Sequence, residues 1–410
     1  MDESIFDVGN VFADGSVLSE EYTPDDLPER EHEIKEIAKA MRRPLRGENI
    51  QHVWVEGKTG QGKTDSIRRM LDLYESRLES EEYSHRSIWI NCRYCPSTYE
   101  IACRIVEEYT GENPNGHPQS EVLDRMYAAL DGSADVITIV LDEVDALGQK
   151  DEILYNIPRA ASDNRLTKTT AGLICVTNDR SYKKEIDKRA TSSLYDRHII
   201  FDAYQASDLR NILKRRAEMA FRDGIIDQSA IAKSAALAAE DEGSARQAIG
   251  YLYEAGEIAD DEGLETIDDD LIDRAQEKVR EREITQQISS MTVQDQLALV
   301  GVVILETMGE TPARTRRVYT EYSNYTEDAE ANTLSYDRLR EHLKELDLMG
   351  VLNSQTRTGD EIGGKKLVWE LSVDVGQTLD AIQDLDDSRV AECLRHVSER
   401  RQNNSLSKYL

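Results

Sequence analysis

Apolar residues first fall in short, strand-length runs separated by helix-length amphipathic stretches, and past the middle of the chain the strand runs stop. Ile34, Ile37, Ala38 and Met41 recur three and four positions apart, which predicts an amphipathic helix over 27–46. His52-Val53-Trp54-Val55-Glu56 reads as a strand, 65–78 as a helix, and Ser87-Ile88-Trp89-Ile90-Asn91 as a second strand. Val136-Ile137-Thr138-Ile139-Val140-Leu141 is apolar almost throughout, the signature of a strand buried on both faces. Ala171-Gly172-Leu173-Ile174-Cys175-Val176-Thr177 and His198-Ile199-Ile200-Phe201 complete five strands. Strands alternating with helices predict a parallel sheet with flanking helices. Over 205–280 only helical periodicity remains, with helices at 210–220 and 231–239. Asp260-Asp261-Glu262 and Asp268-Asp269-Asp270 read as loops. From about 285 three helices precede Val351-Leu352 and Leu367-Val368-Trp369-Glu370-Leu371. The last two segments read as a hairpin with Gly359, Gly363 and Gly364 at its tip, and three helices plus a hairpin make a winged helix.

Between the first strand and the helix after it stands Gly57-Lys58-Thr59-Gly60-Gln61-Gly62-Lys63-Thr64. A P-loop needs this strand–loop–helix context, so the match is specific. Glycines let main-chain N–H groups wrap phosphates, Lys63 brings a point charge, and Thr64 offers a hydroxyl to Mg²⁺. Gly57, Gly60, Gln61, Gly62, Lys63, Thr64 and Asp65 are the expected ATP or ADP contacts. Leu141-Asp142-Glu143 closes the most apolar strand; Asp142 is placed to hold Mg²⁺ and Glu143 to orient or deprotonate a water. Asn178, ending the next strand, suits the positioning of that water, although a plain turn Asn is the bland alternative. Arg246 in Gly243-Ser244-Ala245-Arg246 opens a helix and suits charge stabilisation at the γ-phosphate. Arg189 and Arg197 are candidates for acting on a neighbouring subunit's ATP, or are salt-bridged surface residues.

These segments together resemble the archaeal replication initiators of the origin-recognition and cell-division-cycle family. The resemblance runs through Leu27-Pro28-Glu29-Arg30-Glu31, the P-loop, Leu141-Asp142-Glu143-Val144-Asp145, Leu154-Tyr155-Asn156, Asn178-Asp179, and Ser192-Ser193-Leu194. It continues through Gly243-Ser244-Ala245-Arg246, Ala255-Gly256-Glu257-Ile258-Ala259 and Leu346-Asp347-Leu348-Met349-Gly350. It implies an α/β AAA+ P-loop ATPase core, an all-α lid and a C-terminal winged helix. The expected division is an acidic, mobile arm over 1–20, the core over 21–204, the lid over 205–283, the winged helix over 284–395 and a tail over 396–410. The resemblance further implies slow ATP hydrolysis and nucleotide contacts from Tyr204, Arg216 and Arg30. Its implied partners are double-stranded origin DNA, the replicative minichromosome maintenance helicase and other initiator subunits. Where the family carries a DNA-distorting helical insertion, residues 112–132 are acidic and short of Arg and Lys. Asp187-Lys188-Arg189-Ala190-Thr191 stands where the family usually has Asp-Pro-Arg-Val. Both departures suit an auxiliary copy.

Composition changes the picture in two places. With 80 acidic and 50 basic residues the net charge is −30, which opposes DNA binding through bulk electrostatics. The last domain still carries Arg314, Arg316, Arg317, Arg338, Arg340, Lys344, Arg357, Lys365 and Lys366. Its third helix opens at Leu334-Ser335-Tyr336 and turns Leu339, Leu343 and Leu346 to the core. Tyr336, Arg338, Arg340 and Lys344 then suit a major groove, and Lys365 and Lys366 in the wing suit phosphates or the minor groove. Asp337 and Glu341 on the same helix keep a protein-docking winged helix open as the alternative, and with it an ATPase remodeller or a nucleotide-switched regulator. The five cysteines are too unevenly placed for a disulfide framework, and Cys92-x2-Cys95 is one ligand pair where structural zinc wants two. The acidic start Met1-Asp2-Glu3-Ser4 lacks the features of a signal peptide, and no apolar run suits a membrane span, so a cytoplasmic, nucleoid-associated protein is expected. Such acidity fits a surface built for molar salt, where screening shortens the self-repulsion. The melting temperature is therefore expected to rise between about 0.2 M and about 3 M KCl; a flat or falling series removes the salt-adapted reading.

Overall fold

A computed structural model describes residues 10–19, 22–24, 26–48, 50–148, 152–184, 186, 194, 197–328, 333–357 and 366–383. The chain divides into two compact units, Met1–Ala275 and Gln276–Leu410.

The first unit is built on five parallel strands, β1 (Val53–Glu56), β2 (His85–Asn91), β3 (Val136–Asp142), β4 (Thr170–Thr177) and β5 (Arg197–Ile200). Their order across the sheet is β2-β3-β4-β1-β5. β3 is buried at six successive positions because helices cover both faces, as its apolar run predicted. Alternate side chains feed two cores: Trp54, Ile137, Ile139 and Leu141 on one face, and Val53, Val55, Val136 and Val140 on the other. The helices are α1 (Glu31–Met41), α2 (Lys63–Ser80), α3 (Thr98–Thr110), α4 (Gln119–Leu130) and α5 (Ile153–Arg159). The helix expected over 27–46 is shorter. It stops at Met41 and gives way to a 3₁₀ turn, Arg43–Arg46, in which Pro44 has no N–H for an α-helical bond. α4 occupies the 112–132 stretch and packs inward through Val122, Met126 and Leu130, while Arg125 is paired with Glu121.

Three lid helices follow, α6 (Ala206–Ala220), α7 (Gln228–Glu240) and α8 (Ala245–Glu262), and then α9 (Asp269–Ser290). Both acidic runs expected as loops are helix ends. Asp260, Asp261 and Glu262 are the last turn of α8, stopped by Gly263 at φ +66°, and Asp269 and Asp270 are the first turn of α9. Asp268 accepts the Leu271 N–H at 3.0 Å, and acids at a helix N-terminus oppose its dipole favourably. The mobile arm expected over 1–20 is also corrected for the described residues 10–19. They lie against the lid with Val11, Val17 and Leu18 buried, because Phe12 and these aliphatic residues supply enough apolar surface to anchor them.

The second unit contains α10 (Val293–Thr307), a short β6 (Ala313–Arg314), α11 (Thr315–Asp328), α12 (Tyr336–Leu348), β7 (Leu352–Arg357), β8 (Lys366–Leu371) and α13 (Val375–Gln383). β7 and β8 form the expected antiparallel hairpin, and β6 adds a third strand that the periodicity missed because it is two residues long. Leu339, Leu343 and Leu346 are fully buried, as their spacing required. Asp295 ties α12 to α10: its Oδ2 accepts from Thr292 Oγ1 at the start of α10, and its Oδ1 lies 2.6 Å from His342 Nδ1. The wing-tip glycines Gly359, Gly363 and Gly364 fall outside the described residues. Cys92, Cys95, Cys103 and Cys175 are free thiols. No helix among the described residues is long and apolar enough to cross a membrane.

Candidate nucleotide-binding site

The strand order brings the carboxyl ends of β3, β4 and β1 side by side, with Leu141 paired to Cys175 and Thr177 paired to Glu56. Residues separated by more than a hundred positions therefore meet at one edge of the sheet, where open α/β sheets bind ligands. Gly60 and Gly62 sit at φ +76° and +78°, and Gly62 caps α2 without a side-chain bond, leaving the first amides of the helix facing the loop. A Cβ on Gly57 would stand 2.6 Å from the Phe201 carbonyl, and one on Gly62 would stand 2.8 Å from the Tyr204 hydroxyl. The cradle thus requires glycine on steric grounds as well as conformational ones.

Lys63 is buried. Its Nζ donates to the carbonyls of Gly57 and Lys58, both at 2.6 Å, and to Asn178 Oδ1 at 2.8 Å. Burial pulls its ammonium down to about 8, against the opposing attraction of the Asp142 and Asp145 carboxylates. Asn178 is held in turn through its N–H, which donates to Asp145 Oδ1 at 3.2 Å; the same oxygen accepts from Thr177 Oγ1 at 2.6 Å. Burial raises the pKa of Asp142, against the Glu143 N–H that its Oδ1 accepts at 3.0 Å and with the help of the Glu143 charge. Glu143 itself adopts φ +53°, a left-handed conformation uncommon for Glu, and its Oε2 lies 3.0 Å from Arg93 Nε.

The lid reaches the same edge. The Ala245 N–H at the start of α8 donates to the Gly60 carbonyl at 3.0 Å, and Arg246 beside it is exposed and within electrostatic reach of Lys63. Asp65, raised by burial, feels Arg68, Arg216 and Arg246, so two lid arginines face the first turn of α2. Tyr204 is buried at the junction of core and lid, and its N–H donates to the Gly243 carbonyl at 3.1 Å. Arg30 lies over the Tyr204 ring at 3.8 Å and donates to the carbonyls of Gln61 at 3.0 Å and Asp202 at 2.7 Å. It also pairs with Glu33 at 2.8 Å, and together these bonds clasp the P-loop to the junction.

The structure thus brings together Gly57 to Asp65, Asp142, Glu143, Asn178, Arg246, Tyr204, Arg216 and Arg30. Arg197 is engaged within the chain by Glu36 at 3.2 Å, and Arg189 lies outside the described residues. Sequence reasoning assigned no role to Arg93 or to Asp145. Arg93 follows Asn91, which pairs with Asp142 across β2 and β3, so the strand order alone sets it beside Glu143.

In the second unit Arg340 and Lys344 share an exposed face of α12, and Lys366 is exposed on β8. Tyr336 meets the Tyr319 ring edge-on at 5.6 Å, and Arg338 pairs with Glu341 at 3.1 Å, both side chains largely exposed. Lys365 and the Arg357 side chain lie outside the described residues.

With this geometry in hand, comparison with known proteins is decisive. An ORC1-type DNA replication protein of Haloarcula marismortui is 34% identical over 378 residues, 91% of each chain. The chain belongs to the family of ORC1-type DNA replication proteins. A second member, from Pyrococcus furiosus, is 33% identical over 373 residues, 89% of this chain and 88% of that protein. Family profiles agree: an AAA domain matches 46–177, the Cdc6 AAA+ ATPase-type lid domain 210–277, and the CDC6 C-terminal winged helix domain 286–399. The Aeropyrum pernix ORC1 protein, solved in complex with DNA, superposes with a TM-score of 0.82 at 30% identity, over 93% of this chain and 98% of that one. Cdc6p of Pyrobaculum aerophilum, at 20% identity and a TM-score of 0.58, shares the fold. The chain is thus an ORC1-type AAA+ protein with a Cdc6 lid and winged helix, as its sequence led us to expect.

The bond between Gly60 and the lid yields a test. A Cβ on Gly60 would stand 1.9 Å from Ser244 Oγ, and φ +76° disfavours any side chain there. Gly60→Ala is expected to loosen the start of α8 by about 1–2 kcal/mol, making the Ala245 amide exchange about tenfold faster by hydrogen-exchange measurement. An unchanged rate means that the contact does not hold the lid.

Proposed function

We propose that this ORC1-type protein is an ATP-dependent replication initiator that binds duplex origin DNA and helps recruit or load the replicative minichromosome maintenance helicase, alongside other initiator subunits. The observation that carries the reading is the convergence of the P-loop, the Asp142-Glu143 pair and the first turn of lid helix α8 at one sheet edge. Nucleotide held there is touched by both core and lid, so its state sets the lid's attitude. The DNA complex of the Aeropyrum pernix relative, at 30% identity, supports DNA as the target.

The donor set fits Mg²⁺ with ATP or ADP. Thr64 offers a hydroxyl and Asp142 a carboxylate, both hard oxygen ligands, and Gly62 leaves the first amides of α2 without a side-chain cap. When bound, Mg²⁺ neutralises phosphate charge. The chain's own residues do the rest. Gly57, Gly60, Gln61 and Gly62 present main-chain N–H groups, Lys63 turns its ammonium from loop carbonyls to phosphate, and Asp65, Tyr204 and Arg216 border the nucleotide. Arg30 keeps the P-loop in register with the junction. Asn178 and Glu143 orient the attacking water, and Glu143 takes its proton once Arg93 releases the carboxylate. Arg246 meets the charge that develops at the γ-phosphate. Hydrolysis is slow and resets the lid.

On the winged helix, Tyr336, Arg338, Arg340 and Lys344 read the major groove while Lys365 and Lys366 take phosphates. A protein-docking role is the second reading, favoured by the Glu341 carboxylate that already holds Arg338. Genome-wide DNA occupancy compared between wild type and Lys63→Ala tests the whole: origin-like sites lost or altered in the variant support an ATP-dependent initiator, and occupancy indifferent to Lys63 opposes it.

Two further outcomes are expected. Below pH 8 the Lys63 ammonium is charged before nucleotide arrives; above about 8 binding must take up a proton. ATP affinity is therefore flat up to that pH and falls by as much as about tenfold per unit above it, while Lys63→Ala abolishes binding. Arg338→Ala and Arg340→Ala are each expected to weaken a duplex footprint about tenfold. Unchanged affinity in both removes α12 from the interface.

A further inference from the structure

Arg216 is a buried lid guanidinium whose surroundings come from the other end of the chain. Its Nη1 donates to the Val17 carbonyl at 2.6 Å, and its guanidinium lies 4.3 Å over the Tyr22 ring. Its other N–H groups have no protein acceptor among the described residues, and they lie within electrostatic reach of Asp65 beside the P-loop. An exposed helix would let a side chain with this many rotamers wander. Here a carbonyl and an aromatic face, both from one segment, hold it.

That segment is itself pinned. The Ala13 and Asp14 N–H groups donate to the Ala220 carbonyl at 2.8 and 3.1 Å, and the Arg222 N–H donates to the Val11 carbonyl at 3.1 Å. The Val11 N–H reaches Asp260 Oδ1 at 2.9 Å. The Phe12 ring stacks on Phe221 at 5.2 Å and fills a notch over α8 that only glycine leaves open: a Cβ on Gly256 would stand 2.2 Å from Phe12 Cζ. Asp14 then caps a 3₁₀ turn, Gly15–Leu18, that buries Val17 and Leu18 and delivers the Val17 carbonyl to Arg216.

We infer that residues 10–19, with 22–24, are a strap that positions Arg216 for nucleotide, with Tyr22 the positioning residue and Phe12 the anchor. The inference rests on the reading that Arg216 borders the nucleotide. The strap is bonded to lid helices α6 and α8, so its ordering and nucleotide affinity are linked: anything that lifts Phe12 from its notch frees Arg216 and weakens binding.

The test is equilibrium binding of a fluorescent ATP analogue to the full chain in high KCl. Tyr22→Leu keeps apolar bulk but removes the aromatic face, and is expected to weaken binding about threefold to tenfold. Tyr22→Phe keeps the face and stays within about twofold of wild type. Phe12→Ala and Gly256→Ala, which empty and fill the notch, shift affinity in the same direction as Tyr22→Leu. Because Tyr22 acts through Arg216, Tyr22→Leu combined with Arg216→Ala binds no more weakly than Arg216→Ala alone. Wild-type affinity in Tyr22→Leu, or losses that multiply in the double variant, overturn the inference. If wild type binds but Arg216→Ala matches it, the strap proposal fails while the P-loop reading stands. A wild type that binds no nucleotide ends both.

Discussion

An ammonium taken out of water is costly unless polar groups surround it, and the Lys63 ammonium imposes that requirement on the whole first unit. Its partners are two carbonyls of the P-loop and the Asn178 side chain, with the Asp142 and Asp145 carboxylates close enough to attract it. Those groups lie at or just past the ends of three strands, β1, β3 and β4. β1 must run next to β4 and β4 next to β3, with their ends level, for the charge to be matched. A parallel sheet in the order found satisfies this, and two apolar cores on its faces hold the strands there. Such an environment suits a triphosphate, because a ligand of full negative charge attracts the ammonium more strongly than neutral carbonyls do.

Around that cation the protein has placed groups whose conformations are demanding by themselves. Glu143 sits in the left-handed region, and Gly60 and Gly62 do likewise in the loop. The surrounding contacts over-determine them: the Asp142 carboxylate takes the Glu143 N–H, Arg93 takes its side chain, and lid helix α8 closes on the Gly60 carbonyl. Backbone in such states persists where neighbours hold it, commonly at functional sites. The lid is part of that support. Arg30, the Tyr204 ring and the Gly243 carbonyl form the seam through which lid and P-loop are joined.

The winged helix answers a different problem, that of presenting positive charge on a strongly acidic chain. Exposed Arg340, Lys344 and Lys366 are local, and some of the other surface charges are tied into short helical pairs such as Arg77 with Glu81 and Arg125 with Glu121. Exposed pairs of this kind contribute little each and less in salt. In concentrated salt counterion release contributes little to DNA affinity, so the DNA contacts proposed for α12 would have to rest on base and shape.

Much of this was legible in the residues alone. The glycine spacing of 57–64 is the backbone requirement of a phosphate cradle written out directly, and the run at 136–141 could only be a strand buried on both faces. Leu339, Leu343 and Leu346 announced their own burial by periodicity, and the likeness of the remaining motifs to the initiator family anticipated the lid and winged helix. These readings are local: a dihedral need or a hydrophobic period is satisfied within a dozen residues. Other features could not be read that way. The partner of Arg216 is 199 residues away, and the Arg30 clasp spans 31 residues to one carbonyl and 172 to the other. Arg93 meets Glu143, and residues 10–19 leave solvent for the lid, because of which strands are neighbours and where a single glycine opens a notch. Packing chooses those pairings, and it acts on faces and distances that have no trace in the order of letters along the chain.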